Sequence, residues 1–453
     1  MLPSLAAELS QLVADPARVL TAPAVLDRLS HDFYWYSPIL RPKLVSKVAD
    51  VVVQPISVDE ILAVLRFALR HAVPITVRGA GTGNYGQCVP LNGGIVLDLS
   101  LMDKLEEITP EGVAVCQPGL RLAVLETEAR KHGWELRMYP STLAKASVGG
   151  FLAGGSGGIG SVAYGGLRDF DNVHAFEVVT MEDSPRVVLH EGQEVHGILH
   201  AWGTNGILTR IWFPLAPAQS WTQFTAAFDT YLQAFRFTQS IAVGSSWTKR
   251  LATAFEWPIP SFFAPIKQVV RAGKSLALIM IESSQAKALH AAAESAGGEV
   301  TFTGPFEGPR TQPLLSDYTW NHTTLWAMKF DPAYTYLQCG FSPQDCEDQF
   351  RLLRERYGDE ILFHIEFMKN GDGIVIPGAI PIVRFTTEAR LNDMIDYCRA
   401  IGVFVANPHV NYLEDAGRFR ADNIQLRVKE KYDPHGLLNP GKMLSFRKQE
   451  VPQ

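Results

Sequence analysis

The hydrophobic and polar positions in the first two hundred residues alternate between strand-like and helix-like patterns. Residues 49–54 contain the uninterrupted apolar run Val51–Val53, as in a buried strand. After Ser57 the apolar residues recur at helical spacing, and Glu60 three positions later predicts a helix that begins with a capping box. Further strands are predicted at residues 74–77 and 95–99, and a further helix over residues 120–132. The pattern indicates a small α/β unit.

A second alternation follows residue 216 or so. Strands are predicted at residues 276–281, 300–303, 324–329, 335–338, 361–367 and 382–385. Helices are predicted at about 285–295, from an N-cap at Ser342 with Pro343 in the first turn to Gly358, and over 388–400. These two β–α–β passages predict an α+β domain with an antiparallel sheet.

Two glycine-rich segments interrupt the first unit. RGAGTGNYG (residues 78–86) lies between two predicted strands and lacks both the P-loop spacing and a G-x-G-x-x-G that opens a helix. Glycine amides can approach an anion closely, which indicates a diphosphate-binding loop, and an ordinary glycine-rich loop is the alternative. Residues 139–166 are also dense in glycine, but apolar residues are interleaved throughout. We therefore expect a second close-approach surface for a large ligand, and not a linker.

Composition narrows the class of protein. The chain has 453 residues, 19% of them charged, and a formal net charge of −6, which argues against a nucleic-acid binder. The apolar runs are too short for a spanning helix, and the first twenty residues lack a secretory signal. The five cysteines are odd in number and form no C-x-x-C pair, so a reducing, cytoplasmic setting is expected.

The ordered series VVVQP, RGAGTG, QPGLRLAVL, YPSTLAKASVGGFLAGGSGG, DNV and GTNGILT resembles the FAD-binding domain of the vanillyl-alcohol oxidase / p-cresol methylhydroxylase (PCMH) family. YDPHGLLNPGKM resembles the closing segment of that family. The resemblance implies an α+β fold with a PCMH-type, two-subdomain FAD-binding domain over residues 45–216. It implies an N-terminal segment packed on that domain (1–44), a substrate or cap domain (217–405) and a C-terminal return segment (406–453).

The resemblance also implies which residues contact FAD. The diphosphate loop would comprise Arg78, Gly79, Ala80, Gly81, Thr82 and Gly83. The second segment would contribute Ser141, Thr142, Ser147, Gly149 and Gly150, and further contacts would come from Asp171, Asn172, Val173, Gly206 and Ile207.

Two positions bear on how the flavin is held. Thr82 stands where many members tether the flavin through a histidine, and Leu143 stands where some add a cysteine. We therefore expect non-covalent FAD. Cys88 is the remaining candidate for a tether, at the wrong offset, and a small buried hydrophobe is the alternative for it.

Two constellations are candidates for catalysis. The segment with His409, Asn411 and Tyr412 resembles a Tyr-x-Asn-Tyr region that lies beside the flavin in berberine-bridge-type enzymes, which favours His409 as the base. A histidine satisfied within the core is the alternative. His364 and Glu366 share one face of a predicted strand and suit an acid–base relay, the alternative being the solvated face of an edge strand. Without a third ligand at suitable spacing, no metal site is predicted.

A third constellation suits a pocket wall. Asn321 and His322 lie beside tryptophans, and downstream Tyr334, Tyr336 and Gln338 share one face. Lys329 can hold a carboxylate, and a surface charge is the alternative for it. The glycolate/D-lactate dehydrogenase branch carries H-x-G-D-G-x-x-H, whereas NGDGIVI at residues 370–376 lacks both histidines. The sequence therefore does not single out 2-hydroxy acids.

Together these patterns predict an FAD-dependent oxidoreductase, a dehydrogenase or oxidase, that removes a hydride from a small alcohol, hydroxy acid or amine. The electron acceptor is left open between oxygen, a quinone and a protein, and a homodimer is considered. The alternatives are a flavin-dependent reductase and a non-catalytic protein that keeps the flavin fold.

Overall fold

The computed structural model describes residues 3–414 and 423–447. Its first unit comprises α1 (Pro3–Ser10), β1 (Val19–Leu20), α2 (Pro23–Ser30), α3 (Leu40–Leu44), β2 (Val51–Val53), α4 (Val58–Arg70), β3 (Ile75–Arg78) and β4 (Ile95–Asp98). The strands form a sheet in the order β1-β2-β4-β3, and both pairs that contain β4 are parallel. The apolar face of α4 packs into the same core as this sheet, which explains the helical spacing after Ser57.

The second unit is an antiparallel sheet with short helices. Its elements are β5 (Leu105–Ile108), β6 (Val113–Cys116), α5 (Leu122–Lys131), β7 (Trp134–Leu136), α6 (Val148–Gly154), α7 (Ser161–Tyr164), β8 (Ala175–Val179), β9 (Val187–Glu191) and β10 (Ile207–Pro217). The strand order is β5-β6-β10-β8-β9, and β7 pairs with the far end of β10.

The third unit is the cap. It comprises β11 (Trp221–Phe228), α8 (Tyr231–Val243), β12 (Lys249–Phe255), β13 (Ser275–Glu282), α9 (Ala286–Ser295), β14 (Glu299–Phe306), α10 (Asn321–Phe330), β15 (Tyr334–Tyr336), β16 (Gln338–Gly340), α11 (Cys346–Tyr357), β17 (Ile361–Leu362), β18 (His364–Lys369), β19 (Val375–Ala379), β20 (Ile382–Arg384), α12 (Glu388–Ala400) and β21 (Phe404–Ala406). Eight strands form one antiparallel sheet in the order β14-β11-β13-β12-β18-β19-β16-β21, and β15-β20-β17 form a small second sheet. The predicted α+β fold with an antiparallel cap sheet is confirmed.

After the cap, the chain returns to the first unit. A final helix, α13 (Asn423–Tyr432), leads to a segment that extends the edge of β3, where the Ile75 amide donates to the Leu437 carbonyl at 2.8 Å. The Asn439 amide donates to the Ile75 carbonyl at 2.7 Å. The domain bounds 1–44, 45–216, 217–405 and 406–453 themselves stay predictions.

A buried ion cluster joins the cap to the second unit. Arg250 on β12 is fully buried and donates to the Leu136 carbonyl at 2.8 Å and to the Glu135 carboxylate at 3.2 Å. The indole N–H of Trp221 donates to the same carboxylate at 2.9 Å. A buried charge is costly unless it is paired and hydrogen-bonded, so this cluster specifies one docking geometry for the cap.

Three sequence predictions differ from the structure. Residues 324–329 belong to helix α10, not to a strand, because Thr323, Thr324 and Ala327 bury one helical face. Helix α11 begins at Cys346 and not at Pro343, because the Ser342 hydroxyl accepts from the Asp345 amide and closes a turn first.

The third difference concerns the cap of α4. Ser57 caps the Glu60 amide at 3.3 Å as predicted, but the Glu60 side chain does not complete a capping box. It accepts from the Ile56 amide at 2.9 Å and pairs with buried Arg18, which lowers the pKa of Glu60 to about 2. Glu60 thus fastens the N-terminal segment to the first sheet.

Candidate active site

A cavity of about 730 Å³ lies where the three units meet. One wall is formed by the glycine-rich residues 79–83 and 147–157, and the opposite wall by α10 and the cap strands β16, β18 and β19. We call these the loop wall and the cap wall. The Tyr85 hydroxyl, two residues beyond the first segment of the loop wall, donates to the Gln338 side chain of the cap wall. The volume lies within the usual range for small-molecule and cofactor sites.

The loop wall lines the cavity largely with backbone atoms, because it is rich in glycine. Gly79 touches the second glycine segment, because a Cβ built on it would lie 2.5 Å from Ser147 Oγ and 3.3 Å from Gly150 Cα. Within the described chain, no amide of residues 80–85 donates a hydrogen bond to a protein acceptor. Consecutive backbone N–H groups that have no protein acceptor and line a cavity can bind an anion. This segment therefore fits a diphosphate.

The Arg78 side chain lies behind the loop wall and does not line the cavity. It is buried, donates to the His31 carbonyl at 2.8 Å and contacts Cys88 Sγ at 3.3 Å. Gly81 has φ +64°, and a Cβ there would lie 2.0 Å from Arg78 Nη2. Arg78 therefore supports the loop from beneath, and Gly81 is required for both its backbone conformation and this contact.

Most of the residues expected to contact FAD do line the cavity: Gly79, Ala80, Gly81, Thr82, Gly83, Ser141, Thr142, Ser147, Gly149, Gly150 and Gly206. Ile207 is a core residue of β10. Asp171 is exposed, Val173 is in the core, and Asn172 is buried behind the wall. The side-chain Nδ2 of Asn172 donates to the carbonyls of Tyr164 and Gly166 at 2.7 and 2.8 Å. These two bonds shape the turn that brings Gly166 to the cavity.

Three bulky residues at the cavity have a left-handed backbone. His200, Trp202 and Trp320 have φ of 54°, 53° and 51°. Such conformations cost on the order of 1–3 kcal/mol each and persist where the surroundings enforce them, typically at functional sites.

His409 lies outside this cavity. It is 3% exposed; its Nε2–H donates to the Tyr336 carbonyl at 2.9 Å and Nδ1 accepts from the Ser37 hydroxyl at 2.8 Å. Burial lowers its pKa to about 4. Asn411 and Tyr412 line, with His409, a smaller cavity of about 320 Å³ elsewhere. The structure thus gives His409 the surroundings of a core histidine and does not bring this trio to the large cavity.

The His364/Glu366 pair lies inside the cap sheet, not on a solvated edge. Both side chains are buried on β18, His364 Nε2 is 2.8 Å from Glu366 Oε1, and Glu366 lines the cavity. Glu366 also accepts from the Trp320 amide at 2.7 Å. His364 Nδ1 faces the Ile380 carbonyl at 3.2 Å and must therefore carry a proton. Since Nε2 faces a carboxylate oxygen, one further proton is shared between His364 and Glu366.

The cap wall carries a histidine that lines the cavity. His322 on α10 lines the cavity, and its Nδ1 faces the Asp317 carbonyl at 3.1 Å, so Nδ1 holds the proton and Nε2 carries the lone pair. Burial lowers the pKa of His322 to about 4, with Lys329 and Lys145 acting in the same direction and the hydrogen bond to the Asp317 carbonyl in the opposite one, so the imidazole is neutral near pH 7. Burial raises the pKa of Asp317 to about 6.

Sequence reasoning missed several polar groups of the site. Lys145 lines the cavity and is exposed at its mouth, and its position within the second glycine segment was an available signal. Asp317 also lines the cavity, but no local pattern marks it, whereas Gln338 lines the cavity and belongs to the predicted pocket-wall constellation. Lys329 does not line it; its ammonium lies 4.1 Å from the centre of the Trp326 ring.

The part of the chain described here holds no group of three or more His, Cys, Asp or Glu side chains that could bind a metal ion. Within the same part, no helix is long and apolar enough to cross a bilayer.

Residues 49–188 match the family model described as an FAD binding domain. Residues 49–188 form an FAD-binding domain. The predicted family resemblance and FAD as the cofactor are thereby confirmed. The matched range includes both glycine-rich segments of the loop wall, and in the first of them the amides of residues 80–85, which donate to no described protein acceptor, fit the diphosphate of FAD.

Several curated relatives share part of this sequence. The chain is 31% identical over 189 residues to D-lactate dehydrogenase of Archaeoglobus fulgidus, covering 40% of this chain and 41% of that protein. It is 32% identical over 133 residues to glycolate oxidase subunit GlcD of Escherichia coli K12, covering 29% and 26%. It is 29% identical over 179 residues to D-2-hydroxyglutarate dehydrogenase of Stutzerimonas stutzeri, covering 39% and 36%. The matches thus span less than half of each relative.

The fold as a whole is similar to a solved structure of alkyldihydroxyacetonephosphate synthase. The TM-score is 0.74, and the superposition covers 98% of this chain and 85% of that one at 17% sequence identity. This similarity extends the shared fold across the cap as well as the FAD-binding domain.

Proposed function

We propose that this protein is an FAD-dependent oxidoreductase that removes a hydride from the hydroxyl-bearing carbon of a small organic acid or alcohol. The main support for the proposal is that a single cavity extends from the free backbone N–H groups of residues 80–85 to His322 on the cap wall. Bound FAD would supply the hydride acceptor. The chain's own residues must then hold the substrate, accept a proton and exclude water.

His322 is our candidate for the proton acceptor. Oxidation of an alcohol to a carbonyl releases the hydroxyl proton as the hydride leaves carbon, so a neutral base within hydrogen-bonding reach is needed. The protonated Nδ1 of His322 is occupied by the Asp317 carbonyl at 3.1 Å, which fixes the ring with Nε2 as the accepting atom. A pKa lowered to about 4 keeps this nitrogen unprotonated before substrate binds.

Lys145 is our candidate for binding a substrate carboxylate. It stands exposed at the cavity mouth, and its charge is among the causes that lower the pKa of His322. A carboxylate on Lys145 would offset that charge and make His322 a stronger base when substrate is present. Three relatives named for the oxidation of lactate, glycolate and 2-hydroxyglutarate support a hydroxy-acid substrate.

The His364/Glu366 pair is proposed to hold the cap wall in place. Glu366 fixes the strained Trp320 backbone through its amide, and its other oxygen accepts from the Thr253 hydroxyl at 2.5 Å. His409, Asn411 and Tyr412 have no role in this proposal.

We further propose that FAD is held without a covalent bond. Thr82 and Leu143 supply no nucleophile at the positions that tether flavin in relatives, and burial raises the pKa of the Cys88 thiol to about 12, which leaves it unreactive near neutral pH. Acid precipitation should release all yellow colour into the supernatant, and colour retained on the polypeptide would refute this point. We also propose a cytoplasmic location and a homodimer. The proposed electron acceptor is oxygen, a quinone or a protein.

The test is anaerobic reduction of the bound flavin by a panel of hydroxy acids, alcohols and amines. We expect bleaching of the flavin absorbance by at least one 2-hydroxy acid and none by amines. Bleaching by NADPH alone would instead favour a reductase. Bound FAD that no member of the panel reduces would favour a non-catalytic flavin-fold protein.

A further inference from the structure

A buried cluster of charged side chains lies directly behind the loop wall. We call Asp32, Arg78 and Lys442 the subloop cluster. Lys442 is 0% exposed and donates to the Gly86 carbonyl at 2.6 Å. Asp32 is 6% exposed, lines the cavity and accepts from the Tyr34 amide at 3.0 Å. Arg78 packs beneath Gly81, as described above.

The two cations hold opposite ends of the diphosphate loop. Arg78 is the last residue of β3 and lies under the first half of the loop, whereas Lys442 binds the carbonyl of Gly86 where the loop ends. The Gly83 carbonyl between them accepts from the Phe33 amide at 2.7 Å. Because the carbonyls of Gly83 and Gly86 accept hydrogen bonds on the side away from the cavity, the loop can direct the amides of residues 80–85 toward the cavity.

The cluster carries an excess of positive charge. It contains two cations and one carboxylate, and Lys442 and Arg78 are the charged side chains that act on Asp32. An uncompensated buried charge is unfavourable in a medium of low dielectric constant. An anion bound on the cavity side of the loop would offset this excess positive charge. The free backbone N–H groups of residues 80–85 make that side of the loop suitable for an anion.

We propose that Lys442, from the C-terminal segment, is a positioning residue of the FAD diphosphate site. Together with Arg78 it supplies the countercharge from behind the loop, so the cofactor site is completed by a residue far outside the matched range 49–188. The proposal rests on FAD being the cofactor, and it does not depend on which substrate is oxidised.

The test compares a ligand that has a diphosphate with one that lacks it. FAD and riboflavin affinities are measured on apoprotein by quenching of flavin fluorescence. For Lys442→Met we expect FAD affinity to fall about 10- to 100-fold and riboflavin affinity to change less than about 2-fold. Lys442→Arg should recover most of the FAD affinity, because the charge is restored.

The matched control is Lys431→Met, which removes an exposed lysine from the same C-terminal region and changes the net charge equally. It should leave both affinities unchanged. Equal losses for FAD and riboflavin in Lys442→Met would mean a merely structural role and overturn the proposal, as would an unchanged FAD affinity.

A charge change of opposite sign decides the matter if Lys442→Met does not fold. Asp32→Asn removes the one carboxylate of the cluster, so FAD affinity should rise relative to riboflavin affinity. Weaker FAD binding with riboflavin unaffected would contradict the proposal. Because these readouts need no turnover, failure of the proposed oxidation chemistry would leave them untouched, and the two failures can be told apart.

Discussion

The two walls of the cavity recognise their ligands by different chemistry. The loop wall offers main-chain amides and glycines, with its charged side chains placed behind it. The cap wall offers side chains, namely His322, Asn321, Gln338 and Glu366, and a strained Trp320. A backbone surface suits a cofactor that is common to many proteins, whereas a side-chain surface can be changed one residue at a time. We therefore expect substrate specificity to depend mainly on the cap wall, together with Lys145 beside the second glycine-rich segment.

The largest effect is expected from the cap wall. His322→Asn keeps a polar side chain but removes the base, so the rate of anaerobic flavin reduction should fall roughly 10²- to 10⁴-fold with FAD content retained. Stopped-flow absorbance of the flavin measures this rate. His409→Asn is the control: it should lower the free energy of unfolding by about 1–3 kcal/mol through lost buried hydrogen bonds, without slowing reduction of the FAD that remains bound. Equal rates for wild type and His322→Asn would remove His322 from the mechanism.

The next effect is expected from the loop wall. Gly81→Ala adds a Cβ at φ +64° and forces it against Arg78, so FAD binding should weaken roughly 10- to 100-fold by fluorescence titration. Gly133→Ala is a matched control, since Gly133 has φ +78° and nothing within 4 Å of the added Cβ. It should cost similar backbone strain and leave FAD affinity intact. Comparable losses of FAD in both variants would show that strain alone, and not the loop's contact with Arg78, is responsible.

A smaller effect separates two lysines near His322. Lys145→Ala should raise the KM for a hydroxy-acid substrate about 5- to 30-fold, because an exposed charge-assisted bond to the carboxylate is lost. Lys329→Ala, which removes a lysine that does not line the cavity, should change KM little. Steady-state kinetics with an acid and its methyl ester provide the measurement. If Lys145→Ala raises KM for acid and ester alike, the lysine does not bind the carboxylate.

The smallest effect concerns pH. Burial lowers the pKa of Lys442 to about 8, with Asp32 and the Cys88 thiol acting in the opposite direction. A bound diphosphate favours the protonated amine and raises that pKa, so FAD binding takes up a proton above about pH 8. FAD affinity should therefore be constant below that pH and fall about 3- to 10-fold by pH 9. Titrations of wild type and Lys442→Met at pH 7 and pH 9 test this, and an equal pH dependence in both would exclude Lys442 as its source.

The two walls also differ in how far the sequence predicts them. Gly79, Gly81 and the second glycine segment were identifiable because a loop that binds through its backbone needs glycine at fixed positions. The cap wall depends on tertiary contacts that local patterns do not reveal. His364 and His409 both resemble catalytic histidines in sequence, yet the Tyr336 carbonyl and the Ser37 hydroxyl occupy both nitrogens of His409.

The same distinction explains the remaining differences. Residues 324–329 form a helix although threonines favour strands, because Thr323 donates to the Tyr318 carbonyl at 2.6 Å and the helical face is buried. The sequence identifies Lys442 only as part of a closing segment that resembles the family. Its position beneath Gly86, more than 350 residues away in sequence, follows from the return of the chain to β3.

The central claim is that the cap wall accepts a substrate whose hydride passes to FAD bound on the loop wall. The most direct measurement is anaerobic bleaching of the bound flavin by a 2-hydroxy acid, with the substrate deuterated at the reacting carbon in a parallel experiment. The account predicts bleaching that is slower with the deuterated substrate and slower again in His322→Asn. Fully loaded FAD that no hydroxy acid or alcohol reduces would contradict it.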